Sequence, residues 1–304
     1  MSVHLPESLV VLERGWLSAN NILCLEGENA TLVDSGYVAH AAQTVELVGH
    51  ALDGRQLKRL FNTHSHSDHI GGNAALQARF GCSISVPAGL HAVIAEWDEN
   101  ALLLSPLGQQ SARFQHDSLL AAGSEVEMAG LNWQLLAVPG HDMEALAFYN
   151  AEQRILISGD ALWENGFGVI FPELLGEADG LASTRATLEM LARLPIDTVI
   201  PGHGKPFATV DAAFARAFRR LEMFTAEIDK LAWHAIKVIV SFAMMERRCI
   251  AAADFPRFIL SLPFAIDVNR RYLGLDEEML AARVERDLLL VNALRREAGD
   301  LVAG

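Results

Sequence analysis

The sequence predicts an α/β domain in which two sheets face each other with helices outside, followed by an all-helical appendage. Three observations carry this expectation. Short apolar runs of strand length alternate with helical patterns through the first two thirds of the chain. Several of those runs end in a turn-forming residue followed at once by a histidine or an aspartate, as where loops carry chemistry on a rigid scaffold. After Pro206 the periodicity becomes helical only.

Taken in order, strands are expected at Leu9–Leu12, Ile22–Leu25, Thr31–Val33, Arg59–Asn62 and Ser83–Val86, and a second set at Val126–Met128, Trp133–Val138, Ala147–Tyr149, Arg154–Ile157 and Thr198–Ile200. Helical spacing falls at about residues 39–52, 69–80, 88–96 and 180–194, with Gly81 closing the second of these. Between Asn100 and Asp117 the chain reads as a long irregular loop, with Leu102-Leu103-Leu104 and Phe114 as lid contacts. Beyond Pro206, Phe214, Ala217, Leu221, Phe224, Ile228 and Leu231 share one helical stripe, and Leu280, Val284, Leu288, Val291 and Leu294 share another. Asp276 is the expected N-cap of the last helix and Gly299 its stop. The Ala235–Met245 and Phe255–Leu262 runs are too apolar for lone surface helices and are expected to pack on the first part. The expected division is residues 1–209 as one domain and 210–304 as a helical one.

One segment outweighs the rest. Thr63-His64-Ser65-His66-Ser67-Asp68-His69 places three imidazoles and a carboxylate on a strand-to-helix turn. Burying these groups costs free energy unless something pairs with them, and a divalent metal ion is the partner that suits them all. Gly71-Gly72 allows close backbone approach behind the turn. Three later strand ends repeat the theme: Pro139-Gly140-His141, Ser158-Gly159-Asp160 and Pro201-Gly202-His203-Gly204. Each alone is an ordinary turn beside one polar residue; three of them downstream of the first cluster mark further candidate ligands.

With those residues in view, the chain resembles the metallo-β-lactamase-fold superfamily. The H-x-H-x-D-H signature is matched at His64, His66, Asp68 and His69, and the likeness extends to His141, Asp160, His203 and the Leu32-Val33-Asp34-Ser35-Gly36 strand end, over about residues 8–207. The resemblance implies a four-layer αββα sandwich. It implies two divalent ions, zinc in the first place, with iron or manganese accepting the same donors. His64, His66 and His141 would hold one ion, Asp68, His69 and His203 the other, and Asp160 would bridge them; Asp68 and Asp160 are the implied catalytic residues, and Asp34 an implied support for a ligand. No cofactor other than metal is implied. One departure is visible: Asp142 stands after Pro139-Gly140-His141 where many members have threonine, and its expected role is to cap its own turn.

The implied activity is hydrolysis of a thioester, ester or lactone by a metal-bridging hydroxide, similar to the hydroxyacylglutathione hydrolases and related thioesterases. Two other readings share the motif: a mononuclear iron oxidoreductase resembling the persulfide dioxygenases, and a metal-containing regulatory or binding protein acting through its helical surface. The expected partner is a small molecule with an apolar acyl part, beside Trp163, Phe167 and Phe171. Charge narrows the field further. Residues 1–209 hold 10 Lys and Arg against 24 Asp and Glu, and residues 210–304 hold 14 of each, so the net charge of −14 falls on the first part. That balance opposes binding to a nucleic-acid backbone, and the Arg pairs at 219–220, 247–248, 270–271 and 295–296 read mostly as solvated helix faces. Cys24, Cys82 and Cys249 are too scattered for a disulfide framework and read as small buried hydrophobes. No signal pattern or membrane-length apolar run is present, so a cytoplasmic location without membrane association is expected, with a homodimer admissible.

Overall fold

The structure is a computed structural model describing residues 3–177 and 179–304. A six-stranded sheet is built from β1 (Leu9–Leu12), β2 (Asn21–Glu26), β3 (Asn29–Val33), β4 (Gln56–Phe61), β5 (Ser83–Pro87) and β6 (Ser118–Leu120), adjacent in that order. The first three run antiparallel and β3 to β6 run parallel. The second sheet holds β7 (Glu125–Met128), β8 (Leu131–Ala137), β9 (Leu146–Asn150), β10 (Ile155–Gly159) and β11 (Thr198–Pro201), with β10 and β11 parallel and the rest antiparallel.

Alternation in these strands explains why two sheets pair face to face. In β2, Ile22 and Cys24 enter the core between the sheets while Leu23 enters the core beneath the outer helices. In β10, Ile155 and Ile157 face the first sheet and Leu156 faces the other way. Side chains on a strand alternate faces, so a run apolar at every position must be covered on both. Helices α1 (Ala41–Leu52) and α3 (Asn73–Phe80) cover the first sheet through Val48, Leu52 and Leu76. Burying a side chain of this size contributes roughly 1.5–3 kcal/mol.

The helix expected over 69–80 is two pieces, α2 (Ser67–Ile70) and α3. The break falls at Gly71-Gly72, where a Cβ would lie 2.3 Å from the Val38 nitrogen and 2.3 Å from the Ser35 oxygen respectively, so only glycine lets the turn seat against the β3 loop. Further on come α4 (His91–Glu96) and α5 (Leu104–Leu107). The Asn100–Asp117 stretch is thus less irregular than expected, and Leu102, Leu104, Leu107 and Phe114 are buried. After α6 (Phe171–Leu175), α7 (Gly180–Leu191) covers the second sheet.

The last third departs from the all-helical expectation. It contains α8 (Val210–Ala226), α9 (Ile228–Arg247), α10 (Phe255–Leu260), α11 (Pro263–Val268) and α12 (Glu277–Leu290), but also a three-stranded antiparallel sheet of β12 (Cys249–Ala251), β13 (Leu294–Glu297) and β14 (Asp300–Ala303). Asp276 caps α12 as expected, accepting from the Met279 nitrogen at 2.8 Å. Gly299 is not a helix stop; it sits at φ 97° in the turn joining β13 to β14. The apolar stripe misleads because Leu294 and Leu301 are buried from a hairpin, while Val291 is 65 % exposed. Cys24 and Cys82 are buried, but Cys249 is exposed on β12 beside Asp300. One apolar core runs from Leu107 through the outer face of the second sheet to Leu301, so the last third packs on the first part without a gap. Among the described residues no helix is long and apolar enough to cross a membrane.

Candidate metal centre

Each implied ligand leaves the end of a strand at one edge of the sandwich. The loop after β4 brings His64, His66, Asp68 and His69; the segment after β8 brings His141; Asp160 follows β10 directly, and His203 lies two residues past β11. All but Asp68 are buried or nearly so. Their donor atoms form three groups, each within 4.8 Å: His64, His66 and His141; His64, His69 and Asp160; and Asp68, His69 and His203. Asp160 lies between the outer two groups, with Oδ1 3.3 Å from His69 Nε2 and Oδ2 3.4 Å from His141 Nε2 and 3.8 Å from His203 Nε2.

The surrounding residues fix which nitrogen of each imidazole faces inward. Asp34 sits at φ 59° just past β3 and accepts from the Thr63 nitrogen at 2.9 Å, the Thr63 hydroxyl at 2.8 Å and His69 Nδ1 at 2.8 Å. Because the Thr63 hydroxyl gives its proton to Asp34, it accepts from His64 Nδ1 at 3.0 Å. His141 Nδ1 donates to the Val169 carbonyl at 2.5 Å. Three imidazoles therefore carry their protons on Nδ1 and turn Nε2 lone pairs toward one another, the pattern in which a carboxylate or carbonyl orients a metal-ligating histidine. His64 Nε2 and His69 Nε2 are buried without a hydrogen-bond partner, as is His203 Nδ1. Orphaned buried nitrogens beside two carboxylates fit a divalent cation better than any arrangement of protein groups alone.

Electrostatics agree with that fit. Burial, followed by the neighbouring His69, His66 and His141, holds the His64 imidazole well below its ordinary pKa, and burial puts His66 and His141 at about 4, so these rings keep free lone pairs at neutral pH. His69 goes the other way: burial lowers it, but Asp34, Asp160 and Asp68 together raise it well above the ordinary value. Asp160 is held well below the usual carboxylate range, since His203 and His69 outweigh its burial. The centre of the cluster therefore calls for positive charge, which a proton on His69 or a metal cation supplies. Close packing leaves no slack: a Cβ at residue 202 would stand 2.2 Å from Asp160 Oδ1, so glycine is required there.

Asp142 accepts from the Glu144 nitrogen at 2.7 Å and caps its own turn. Trp163 and Phe171 line a cavity of about 400 Å³ that opens beside the ligands, while Phe167 lies behind its wall. The opposite side of that cavity is α9, through His234, Val238, Ile239 and Phe242. Sequence reasoning missed three contributors. Trp16, 57 % exposed, stacks on the His203 ring at 5.3 Å and 6°, and meets Trp163 edge-on at 5.4 Å. Asn20 donates to the Pro201 and Gly204 carbonyls at 3.0 and 2.7 Å, tying the His203 loop down. Arg220, expected on a solvated face, is half-buried in the cavity wall, unlike the seven exposed arginines of the paired runs. Only a Trp or Asn ahead of a strand marked the first two, and nothing local marked the third.

Comparisons with known proteins follow the same outline. The chain is 30 % identical over 115 residues to a hydroxyacylglutathione hydrolase of Ectopseudomonas mendocina, covering 38 % of this chain and 37 % of that protein. It is 28 % identical over 193 residues to a hydroxyacylglutathione hydrolase of Haemophilus influenzae, covering 58 % of this chain and 81 % of that one. Apart from the Haemophilus protein, it matches about half or less of the length of the first such relatives. A solved metallo-beta-lactamase family protein of Thermus thermophilus superposes over 99 % of this chain and 100 % of its own, with a TM-score of 0.58 at 20 % identity, a likeness of fold. The model of the metallo-beta-lactamase superfamily matches residues 14–203, which contain every strand-end donor described above, and the chain belongs to that superfamily.

Proposed function

We propose that the chain is a dinuclear metal-dependent hydrolase of a thioester, ester or lactone. The observation that carries this reading is the set of three donor groups sharing members, with Asp160 between the outer two. In it His64, His66 and His141 would hold one ion and Asp68, His69 and His203 the second, with Asp160 shared between the two sets. The relatives named hydroxyacylglutathione hydrolase favour the thioester among the three bond types. Zinc suits the imidazole-rich donor set.

Divalent ions bound there would supply Lewis acidity toward the substrate carbonyl and lower the pKa of bound water toward neutrality. The protein's own groups do the rest. Asp34 and Thr63 hold His69 and His64 in one tautomer, so both rings keep their Nε2 lone pairs aimed inward. Trp163 Nε1 donates to Asp160 Oδ1 at 3.2 Å and fixes the rotation of that carboxylate. Val238, Ile239 and Phe242 present apolar surface to the acyl part and keep water from it.

Elemental analysis of purified protein, paired with a panel of thioesters, esters and lactones, tests the reading. The expected result is close to two divalent ions per chain and turnover of at least one of these classes. A single tightly held iron with no second ion under loading, or oxygen consumption in place of hydrolysis, overturns it.

A further inference from the structure

The cavity beside the metal ligands contains a positive charge with no acidic partner. Arg220 on α8 lies over the rings of Phe167 at 5.5 Å and Phe224 at 5.4 Å; one guanidinium nitrogen donates to the Asn165 carbonyl at 3.3 Å and another meets His234 Nε2. Among the described residues no carboxylate pairs with it, and burial alone lowers its pKa. The same guanidinium lines the cavity that holds His66, Asp68, His141, Asp160 and His203.

A guanidinium partly withdrawn from water without a counter-charge is costly, and stacking on aromatic faces offsets only part of that cost. His234 cannot supply the missing charge. Burial and then the charges of Arg220 and Lys237 drive its pKa down to about 3, so it is neutral, and its Nε2 accepts from Arg220. The pair is thus built to hold the guanidinium in place, with donor capacity left over. In a chain of net charge −14, retaining a half-buried cation without an ion pair beside this cavity points to a ligand. Arg220 lies outside residues 14–203, the part that the superfamily model matches, in the last third of the chain.

We propose that Arg220, held in place by His234, is a specificity-determining residue that binds a carboxylate at the end of the substrate remote from the cleaved bond, so that the preferred substrate is an acid-terminated acyl compound. The planar fork of the guanidinium matches a carboxylate with two parallel hydrogen bonds. Val238, Ile239 and Phe242, which line the same cavity, accommodate the chain that joins the two ends. This inference rests on the hydrolase reading, and its test is therefore made on binding as well as on turnover.

The measurement is quenching of tryptophan fluorescence, with Trp16 and Trp163 in the cavity, on full-length metal-loaded protein. Dicarboxylates from hexanedioate to decanedioate are compared with the monocarboxylates of equal length. At the best length the dicarboxylate is expected to bind about 10-fold tighter, the equivalent of roughly 1.4 kcal/mol. Arg220→Met should reduce that ratio to below about twofold, and Arg220→Lys should retain part of it, since lysine keeps the charge but not the fork. If Arg220→Met does not fold, the Lys variant and the wild-type series still decide the matter. Equal affinity for both acids at every length, or a ratio unchanged in the variants, overturns the proposal; so does an alkyl phosphate that binds tighter than every dicarboxylate. Hydrolysis of the thioester, ester and lactone panel is scored separately. Failure there with the dicarboxylate ratio intact brings down the hydrolase reading and leaves the role of Arg220 standing.

Discussion

The segment from residue 14 to 203 and the last third of the chain solve different problems with different kinds of information. In the first, every donor side chain stands within a few residues of a strand end, and the two sheets bring those ends to one edge. In the second no metal-ligand group forms among the described residues, yet α9 supplies one wall of the cavity and α8 supplies Arg220. The chemistry is therefore encoded locally, in short motifs, and the shape of what enters is encoded at long range, in helix faces. Damage to the first region should strike turnover, and damage to the second should strike substrate choice or stability.

The largest expected effect tests the first half of that contrast. Asp160→Ala removes the carboxylate common to both ligand sets and should lower kcat by on the order of 10³-fold or more, with the melting transition little changed. Near-normal turnover of the best substrate would remove Asp160 from its proposed position. His203→Ala should be milder, dropping metal content from near two ions toward one and activity by at least the roughly 10- to 100-fold that losing a mere support of a ligand costs. Elemental analysis alongside kinetics checks both numbers.

The second half of the contrast is broken or sharpened in the helices. Leu288→Ala on α12, fully buried and remote from the ligands, should cost about 2–5 kcal/mol of stability by denaturant unfolding while kcat of the folded protein stays the same. A matching fall in kcat would show that the two regions are coupled more tightly than their division of labour implies. Phe242→Ala, in the cavity wall and edge-on to Tyr37 at 5.0 Å, should raise KM for long acyl substrates by about 10-fold or more and leave short ones less affected. At the small end, Cys249→Ser on exposed β12 should change stability by no more than about 0.5 kcal/mol and turnover not at all.

Legibility followed the same division. Ten strands of the two facing sheets were visible in the sequence because residues such as Ile155, Leu156 and Ile157 are apolar on both faces and bounded by turns, whereas β6 is three residues long with two of them exposed. The strand-end donors were visible because three histidines and an aspartate in six residues have few other uses. The last third was harder. Its hairpin carries Leu294 in register with a helical stripe, and a spacing that fits both periods cannot choose between them. Arg220 looked like its neighbour Arg219, since burial of one and exposure of the other depend on Phe167, Phe224 and His234 arriving from elsewhere. Asp34 was legible as a support; the Thr63 hydroxyl that relays its effect to His64 was not, because that relay exists only once β3 and β4 lie side by side.

The apolar core that joins Leu107 to Leu301 has a consequence for the order in which the molecule is made. The sandwich interior and the layer beneath α1 and α3 are complete once β11 has emerged from the ribosome, and both can condense while synthesis continues. The outer face of the second sheet cannot. Leu156, Leu188 and Val199 belong to a core that is complete only with α8, α9, α12 and the β13–β14 hairpin. Until those arrive the nascent chain displays a broad apolar surface on the outer face of the second sheet. Closing contacts of such long sequence separation is slow. That hairpin and the helices before it complete the core late, and the uncovered face favours misassociation until they pack.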